Sequence, residues 1–281
     1  MIRPMGKGLM REVAAPCPGF QDVGRSPGGP QDRFSWRCAD ILLGESPETR
    51  AWELVLPPTL EITRDAVGVL TGGSFDRVEV NGRNVSHGEV FRVRAGERIR
   101  WGLRQRGFRT LFALRPLSAG VERLAGRTRG AFRDVARWQD PGGLLRVIPG
   151  PECGRLPDPA AFLRQRWMTE LKSSDEGLRI TGGSIDTDAE EGGEMVSAPV
   201  ADGTVQLTPD GLILLLRCRP TIGGYPRVFN LIDADVDLAA QCPPRRRVRF
   251  RLVSLRHVVE ARRMYEEDLN RLRSGFTDPV E

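Results

Sequence analysis

A chain of 281 residues, 40% hydrophobic and 28% charged, has enough apolar side chains to bury one large core or two ordinary ones without disulfide or metal staples. Its formal charge of +5 arises from 42 basic residues scattered among 37 acidic ones, with only Lys7 and Lys172 as lysines, which argues against the clustered basic face of a nucleic-acid binder. Five cysteines, odd in number and never spaced C-x-x-C, argue against a disulfide framework or a zinc site, and no run approaches the roughly 20 apolar residues of a membrane span, so the expected location is a reducing cytoplasm.

The first predicted element is a helix: Phe34, Cys38, Ile41 and Leu42 fall at i, i+4, i+7 and i+8, with Asp32 near the start and Gly44 at the end. Further on, "RVEVNGRNV" places Asn81-Gly82 between short β-rich runs, a strong hairpin signal. In "EVFRVRAGERIRWGLR", Phe91 and Val93, then Ile99, Trp101 and Leu103, alternate with arginines. That pattern predicts a half-buried hairpin turning at Ala95-Gly96-Glu97. Residues 116–143 lose the alternation and are rich in small and charged residues, which places a domain junction at their end and divides the chain into 1–143 and 144–281.

The β pattern resumes at "LLRVIPGPE". Asp158 and Pro159 then mark an N-cap and a first-turn proline for a short helix carrying Phe162, Leu163 and Trp167. The acidic, glycine-rich stretch 186–194 reads as a mobile surface loop. "TVQLTPDGLILLL" predicts a hairpin turning at Pro209-Asp210-Gly211, its second strand, Leu212 to Leu216, buried on both faces. "PTIGGYPRV" follows. Its paired glycines serve either a turn or a close approach of backbone to a ligand. After the tight basic run Arg245-Arg246-Arg247, Val248, Phe250 and Leu252 alternate with arginines in a closing strand, and a tail helix runs from an N-cap at Ser254 to Gly275, with Val258, Val259, Tyr265, Leu269 and Leu272 along one side.

Familiar catalytic signatures are missing from the sequence. It has neither a G-x-x-x-x-G-K-[ST] phosphate loop nor a G-x-S-x-G elbow, and His87 and His257, its two histidines, read as surface residues in a turn and at a helix start. No two His or Cys residues have metal-ligand spacing, so no metal is expected. Polar clusters remain: "FQDVGR", "PQDRF", "SSDEGLRITGG", "MVSAPVADGTVQL" and "RPTIGGYPRV". Taken singly, their aspartates and glycines read as turn formers.

In their joint order these clusters resemble the biotin-dependent carboxyltransferase-like family, which includes the C subunit of bacterial ATP-dependent 5-oxoprolinase, allophanate hydrolase subunit 2 and the carboxyltransferase region of urea amidolyase. Gln21-Asp22-Val23-Gly24-Arg25 is similar to the family's "VQDLGR", and "QDRFSWRCADILLGE" from Gln31 to "MDRFALRLANLLVGN". "TIGGYPRV" is similar to "TTGGYPRI", the most specific of the matches. The resemblance implies a mainly β fold of two cyclophilin-like β-barrel domains with a few helices and an active-site cleft between the domains. It implies partners, subunit-A-like and subunit-B-like proteins of a 5-oxoprolinase-type complex, and a small amide or ureido substrate. No cofactor is expected on this chain alone: the complex uses ATP, and biotin, where used, is carried by a partner. Neither nucleic acid nor membrane is expected as a partner.

Carried over residue by residue, the resemblance makes Asp22, Asp32 and Arg179 catalytic candidates and Arg25, Gln206, Thr221, Gly223, Gly224 and Tyr225 substrate-binding candidates. Arg25 and Arg179 would hold a substrate carboxylate, Asp22 or Asp32 would handle a proton, and the glycine loop would stabilise a developing oxyanion. The chain also departs from the family pattern. "GRPGYRHLGVPPSGAMD" is shortened to "GRSPGGPQD", "LADRQTTGGYP" becomes "LRCRPTIGGYP" with Cys218 for an acid and Pro220 for a glutamine, and "SEG" becomes Ser197-Ala198-Pro199. These lost carboxylates point to an alternative, a non-catalytic regulatory or assembly subunit that retains the scaffold.

Overall fold

The computed structural model describes residues 1–125, 143–182 and 195–275. Most of 116–143, at whose end the junction is expected, falls outside them, and the acidic stretch 186–194 wholly outside. The chain is mainly β and forms two compact units. One comprises Met1–Ala14, Asp32–Asp140 and Met264–Glu281, the other Ala15–Gln31 and Pro141–Arg263.

The strands of the N-terminal unit are β1 (Ile2–Met5), β2 (Leu9–Val13), β3 (Arg50–Leu56), β4 (Thr59–Ile62), β5 (Ala66–Phe75), β6 (Val78–Val80), β7 (Arg83–Asn84), β8 (Phe91–Val93), β9 (Arg98–Trp101) and β10 (Arg104–Pro116). They hydrogen-bond as two five-stranded sheets, β1-β4-β9-β6-β7 and β2-β3-β10-β5-β8. Their apolar faces share one core, in which Leu54, Leu60, Ile62, Leu70, Ile99 and Phe112 are fully excluded from solvent. Asn81 and Gly82 both have positive φ, 47° and 83°, and close the β6–β7 hairpin as its sequence predicts.

The expected hairpin at 95–97 forms its turn but not its pairing. β8 pairs with β5, whereas β9 pairs with β4 and β6, so the two runs enter different sheets. Phe91, Val93 and Ile99 point inward as expected, but Leu103 is 74% exposed. Alternation fixes which side of a strand is buried and carries no information about its neighbour. Helix α1 (Arg33–Leu42) matches its prediction: Asp32 caps it by accepting from the Ser35 N–H at 2.8 Å, and Phe34, Cys38, Ile41 and Leu42 are buried. His87 departs from its surface assignment. Its ring is drawn inward, where Nε2 accepts from the Phe75 N–H at 3.4 Å, and burial lowers its pKa to about 4.

The C-terminal unit contains β11 (Leu144–Pro149), β12 (Trp167–Thr169), β13 (Gly177–Thr181), β14 (Ala198–Pro199), β15 (Thr204–Thr208), β16 (Gly211–Leu215), β17 (Ile222–Gly223), β18 (Arg227–Leu231) and β19 (Arg247–Leu252). Seven of these close a barrel in the order β11-β18-β15-β16-β13-β12-β19, sealed by the parallel pair β11–β19, while β14 and β17 form a separate two-stranded ribbon. Leu178, Ile180, Val205, Leu207, Leu212, Leu214, Val248 and Phe250 fill the interior.

Helix α2 (Pro159–Arg164) has the expected Asp158 cap, but Trp167 lies beyond the helix in β12 and reaches Phe162 across 4.9 Å between ring centres. Helix α3 (Asp233–Ala240) has no counterpart among the predicted elements. Short and buried at most positions, it shows no amphipathic period to read. In helix α4 (Leu255–Ser274) the buried stripe is Ala261, Tyr265, Asp268, Leu269 and Leu272, while Val259, expected on that side, is 69% exposed. Among the described residues no helix is long and apolar enough to cross a membrane.

Candidate functional site

Because side chains alternate along a strand, the interior leucines of β13, β15 and β16 put their sequence neighbours on the barrel's outer face. Arg179 pairs in register with Ile213, and Ile213 with Gln206, so these three form one cross-strand row. A register irregularity between Val205 and Gln206, where β15 meets β18, sits beside this row. Gln206 is 4% exposed, and its Nε2 donates to the Tyr225 carbonyl at 3.4 Å, leaving Oε1 without a partner among the described residues.

The ribbon β14–β17 carries Gly223 against this row. Neither Gly223 nor Gly224 has positive φ, so the pair does not serve a left-handed turn. Gly223 is required by proximity: a Cβ there would collide with Gln206 Nε2 and come within 3.2 Å of Val200 Cγ1. A positive-φ turn is therefore not the use realised, and the close approach seen at 223 is to the Gln206 side chain.

Row and ribbon together border a cavity of about 240 Å³ lined by Lys172, Ser174, Glu176, Arg179, Gln206, Ile213, Pro220, Gly223, Gly224 and Tyr225, among others. Lys172 and Arg179 are both exposed, and among the described residues neither has a carboxylate partner. Two unpaired cations, a buried amide, a tyrosine and a glycine backbone make a site suited to a small anion that also bears a hydrogen-bonding group.

Five of the nine predicted site residues, Arg179, Gln206, Gly223, Gly224 and Tyr225, line this cavity; the other four lie elsewhere. Thr221 is half-buried just before the ribbon strand, its carbonyl accepting from the Val200 N–H at 3.1 Å. Asp22 and Arg25 are exposed in the loop 15–31, where Arg25 lies 5.5 Å from the centre of the Phe20 ring. Asp32 belongs to the N-terminal unit, and its two carboxylate oxygens accept from the Ser35 N–H and, at 2.6 Å, the Ser35 hydroxyl. Sequence reading missed Lys172, Ser174 and Glu176. The sequence signal available for them was proximity to Arg179 along the chain, since all three precede it by a few residues.

A buried ion cluster that sequence reading also missed adjoins the lining residue Pro220. Arg217, 1% exposed, donates through NH1 to Asp202 Oδ2 at 3.1 Å and through NH2 to Asp237 Oδ1 at 2.7 Å, with Asp233 Oδ1 at 3.5 Å. Burial alone would lower its pKa, but Asp237, Asp233 and Asp202 together outweigh that and raise it above the usual arginine range. Arg219 adds a bond from Nε to Asp202 Oδ1 at 2.9 Å and one from NH1 to the Pro220 carbonyl at 3.1 Å.

The family model described as "Carboxyltransferase domain, subdomain A and B" matches residues 23–117 and 117–252, and the chain belongs to that family. It is 27% identical over 276 residues to the C subunit of 5-oxoprolinase from Escherichia coli (strain K12), covering 87% of this chain and 88% of that protein. To the C subunit of 5-oxoprolinase from Haemophilus influenzae it is 26% identical over 286 residues, covering 91% and 92%. The crystal structure of the K. lactis urea amidolyase superposes with a TM-score of 0.79 at 15% identity over 96% of this chain and 20% of that one, a likeness of fold.

Proposed function

We propose that this chain is the C-type subunit of a 5-oxoprolinase-type assembly, and that its cavity binds a small carboxylate-bearing amide or ureido substrate. The observation that carries this reading is the cross-strand row Arg179-Ile213-Gln206, which brings a guanidinium with no carboxylate partner among the described residues into the same cavity lining as Gln206, Gly223 and Gly224. Arg179, joined by Lys172, holds the substrate carboxylate. Gln206 Oε1 receives an amide N–H, and the glycine backbone lies where negative charge develops on the amide oxygen during ring opening.

Every lining residue comes from a strand or a loop. ATP is assigned to the assembly rather than to this chain alone. Biotin, where a carboxyl group is moved, arrives on a partner chain. The partners are the A-like and B-like subunits, and the location is the cytoplasm. Support comes from similarity over 87–92% of this chain and of two proteins that carry the name of the 5-oxoprolinase C subunit.

A second reading is favoured by one observation. Neither Asp22 nor Asp32 lines the cavity, so among its described lining residues Glu176 is the sole carboxylate. A binding or assembly subunit without proton-transfer chemistry of its own would show that arrangement. The test is ATP-dependent formation of glutamate from 5-oxoproline by the co-expressed subunits, with and without this chain. Glutamate that requires this chain, with a raised KM in Arg179→Ala, supports the first reading. A complex that assembles and forms no glutamate supports the second.

A further inference from the structure

Gln31 is fully buried in the C-terminal unit and hydrogen-bonds two residues, Asp175 and Arg217, that adjoin lining segments of the cavity. On one side its Oε1 accepts from the backbone N–H of Arg217 at 3.0 Å, and its own carbonyl accepts from Arg217 Nε at 3.2 Å. On the other side its Nε2 donates to the carbonyl of Asp175 at 2.7 Å. Asp175 stands between Ser174 and Glu176, which line one wall; Arg217 leads through Arg219 and its bond to the Pro220 carbonyl into Gly223, Gly224 and Tyr225, which line the other.

We propose that Gln31 is a positioning residue that fixes the spacing of the two cavity walls, by committing the two ends of one carboxamide to one wall each. A carboxamide is required because the two walls present opposite groups, an N–H on the 217 side and a carbonyl on the 175 side. Ionised glutamate supplies only acceptors. Methionine, which the resembling motif carries at this place, supplies neither. Because Arg217 is anchored by Asp202 and Asp237, the 217 side is the fixed jaw, and the 174–176 strip is the one Gln31 holds to it. This inference rests on the cavity being the substrate site.

The experiment uses the full chain, alone and assembled with its partner subunits. In Gln31→Glu the acceptor facing Arg217 is kept and the donor facing Asp175 is lost, so amide hydrogen exchange should accelerate at Ser174–Gly177 and stay slow at Arg217. The KM for 5-oxoproline should rise about tenfold with kcat changed less, the loss expected of one hydrogen bond. In Gln31→Met, exchange should accelerate on both sides. Equal exchange on the two sides in Gln31→Glu, or wild-type exchange in Gln31→Met, overturns the proposal and makes Gln31 a space-filling residue. Arg179→Ala separates the two levels. If its KM is unchanged while Gln31→Glu loosens only the 174–177 strip, the clamp stands and the substrate reading falls.

Discussion

In the N-terminal unit the half-buried Arg104 is surrounded by dipoles: NH1 donates to Thr110 Oγ1 at 3.1 Å, NH2 to the carbonyls of Leu54 at 3.2 Å and Val55 at 2.8 Å, and the guanidinium lies 4.5 Å from the centre of the Phe75 ring. In the C-terminal unit the fully buried Arg217 is surrounded by carboxylates. Burial lowers the pKa of Arg104 to about 10, because carbonyls and a ring face replace water only in part, whereas three aspartates push Arg217 the other way. Both cations are well supplied with hydrogen bonds, so geometry alone does not distinguish them. What differs is what each would leave behind. Removing Arg104 strands neutral acceptors on buried residues; removing Arg217 strands negative charge, most deeply that of Asp237.

The largest expected effect follows from that asymmetry. Arg217→Met should cost about 3–5 kcal/mol in urea-unfolding free energy, the range for breaking a buried ion pair from one side. Adding Asp237→Asn should restore part of it, a coupling that a double-mutant cycle reads directly. Arg104→Met should cost less, about 1–3 kcal/mol, the range for acceptors left unpaired. Equal losses in the two variants would show that carboxylates and carbonyls hold a buried guanidinium alike, and the contrast between the units would disappear.

The same contrast separates what the sequence disclosed from what it hid. Helix α1, its Asp32 cap, the Asn81-Gly82 turn and the 209–211 hairpin were legible because each is decided by residues within a few positions of one another. The pairing of β8 and β9 with different sheets was not legible, since a strand's neighbour is chosen by the whole unit. Within the candidate site, Arg179, Gln206 and the glycines were found through motif order, but the reason for Gly223 was not: the atom that forbids a side chain there belongs to Gln206, on another strand. Arg217 was hidden for a related reason, because its aspartates lie 15 to 20 residues away in the chain. Lys172 looked like one scattered charge and acquires meaning only beside Arg179 in the folded barrel.

Gly223→Ala sharpens the comparison at the site itself. The added methyl meets Gln206 Nε2 and Val200 Cγ1, so Gln206 must leave the Tyr225 carbonyl or the ribbon must shift. Overpacking of this kind costs about 1–3 kcal/mol. The expected outcome is a moderate fall in thermal stability with a disproportionate rise in the KM for 5-oxoproline. Gly224→Ala is the control, because a Cβ there comes no closer than 3.4 Å, to the Met195 carbonyl oxygen, and should be tolerated. If both alanines behave alike, close approach is not what the first glycine is for.

The smallest effect belongs to His87, which probes the N-terminal unit. Burial, with the nearby Arg104 charge adding to it, lowers the pKa of His87 from 6.5 to about 4. Between those two values the unfolded chain binds more protons than the folded one, so stability is fully present above about pH 6.5 and drains away as the pH falls toward 4. His87→Gln has no proton to take up in that window. Its urea midpoint should therefore change less than the wild-type midpoint between pH 7 and pH 4.5, even if the variant is somewhat less stable throughout. Arg104→Met should raise the His87 pKa slightly by removing a neighbouring positive charge, and so flatten the same pH dependence by a smaller amount, since burial is the larger cause. A wild-type pH dependence that survives unchanged in His87→Gln would assign the acid sensitivity of this unit to its carboxylates and leave the histidine a spectator.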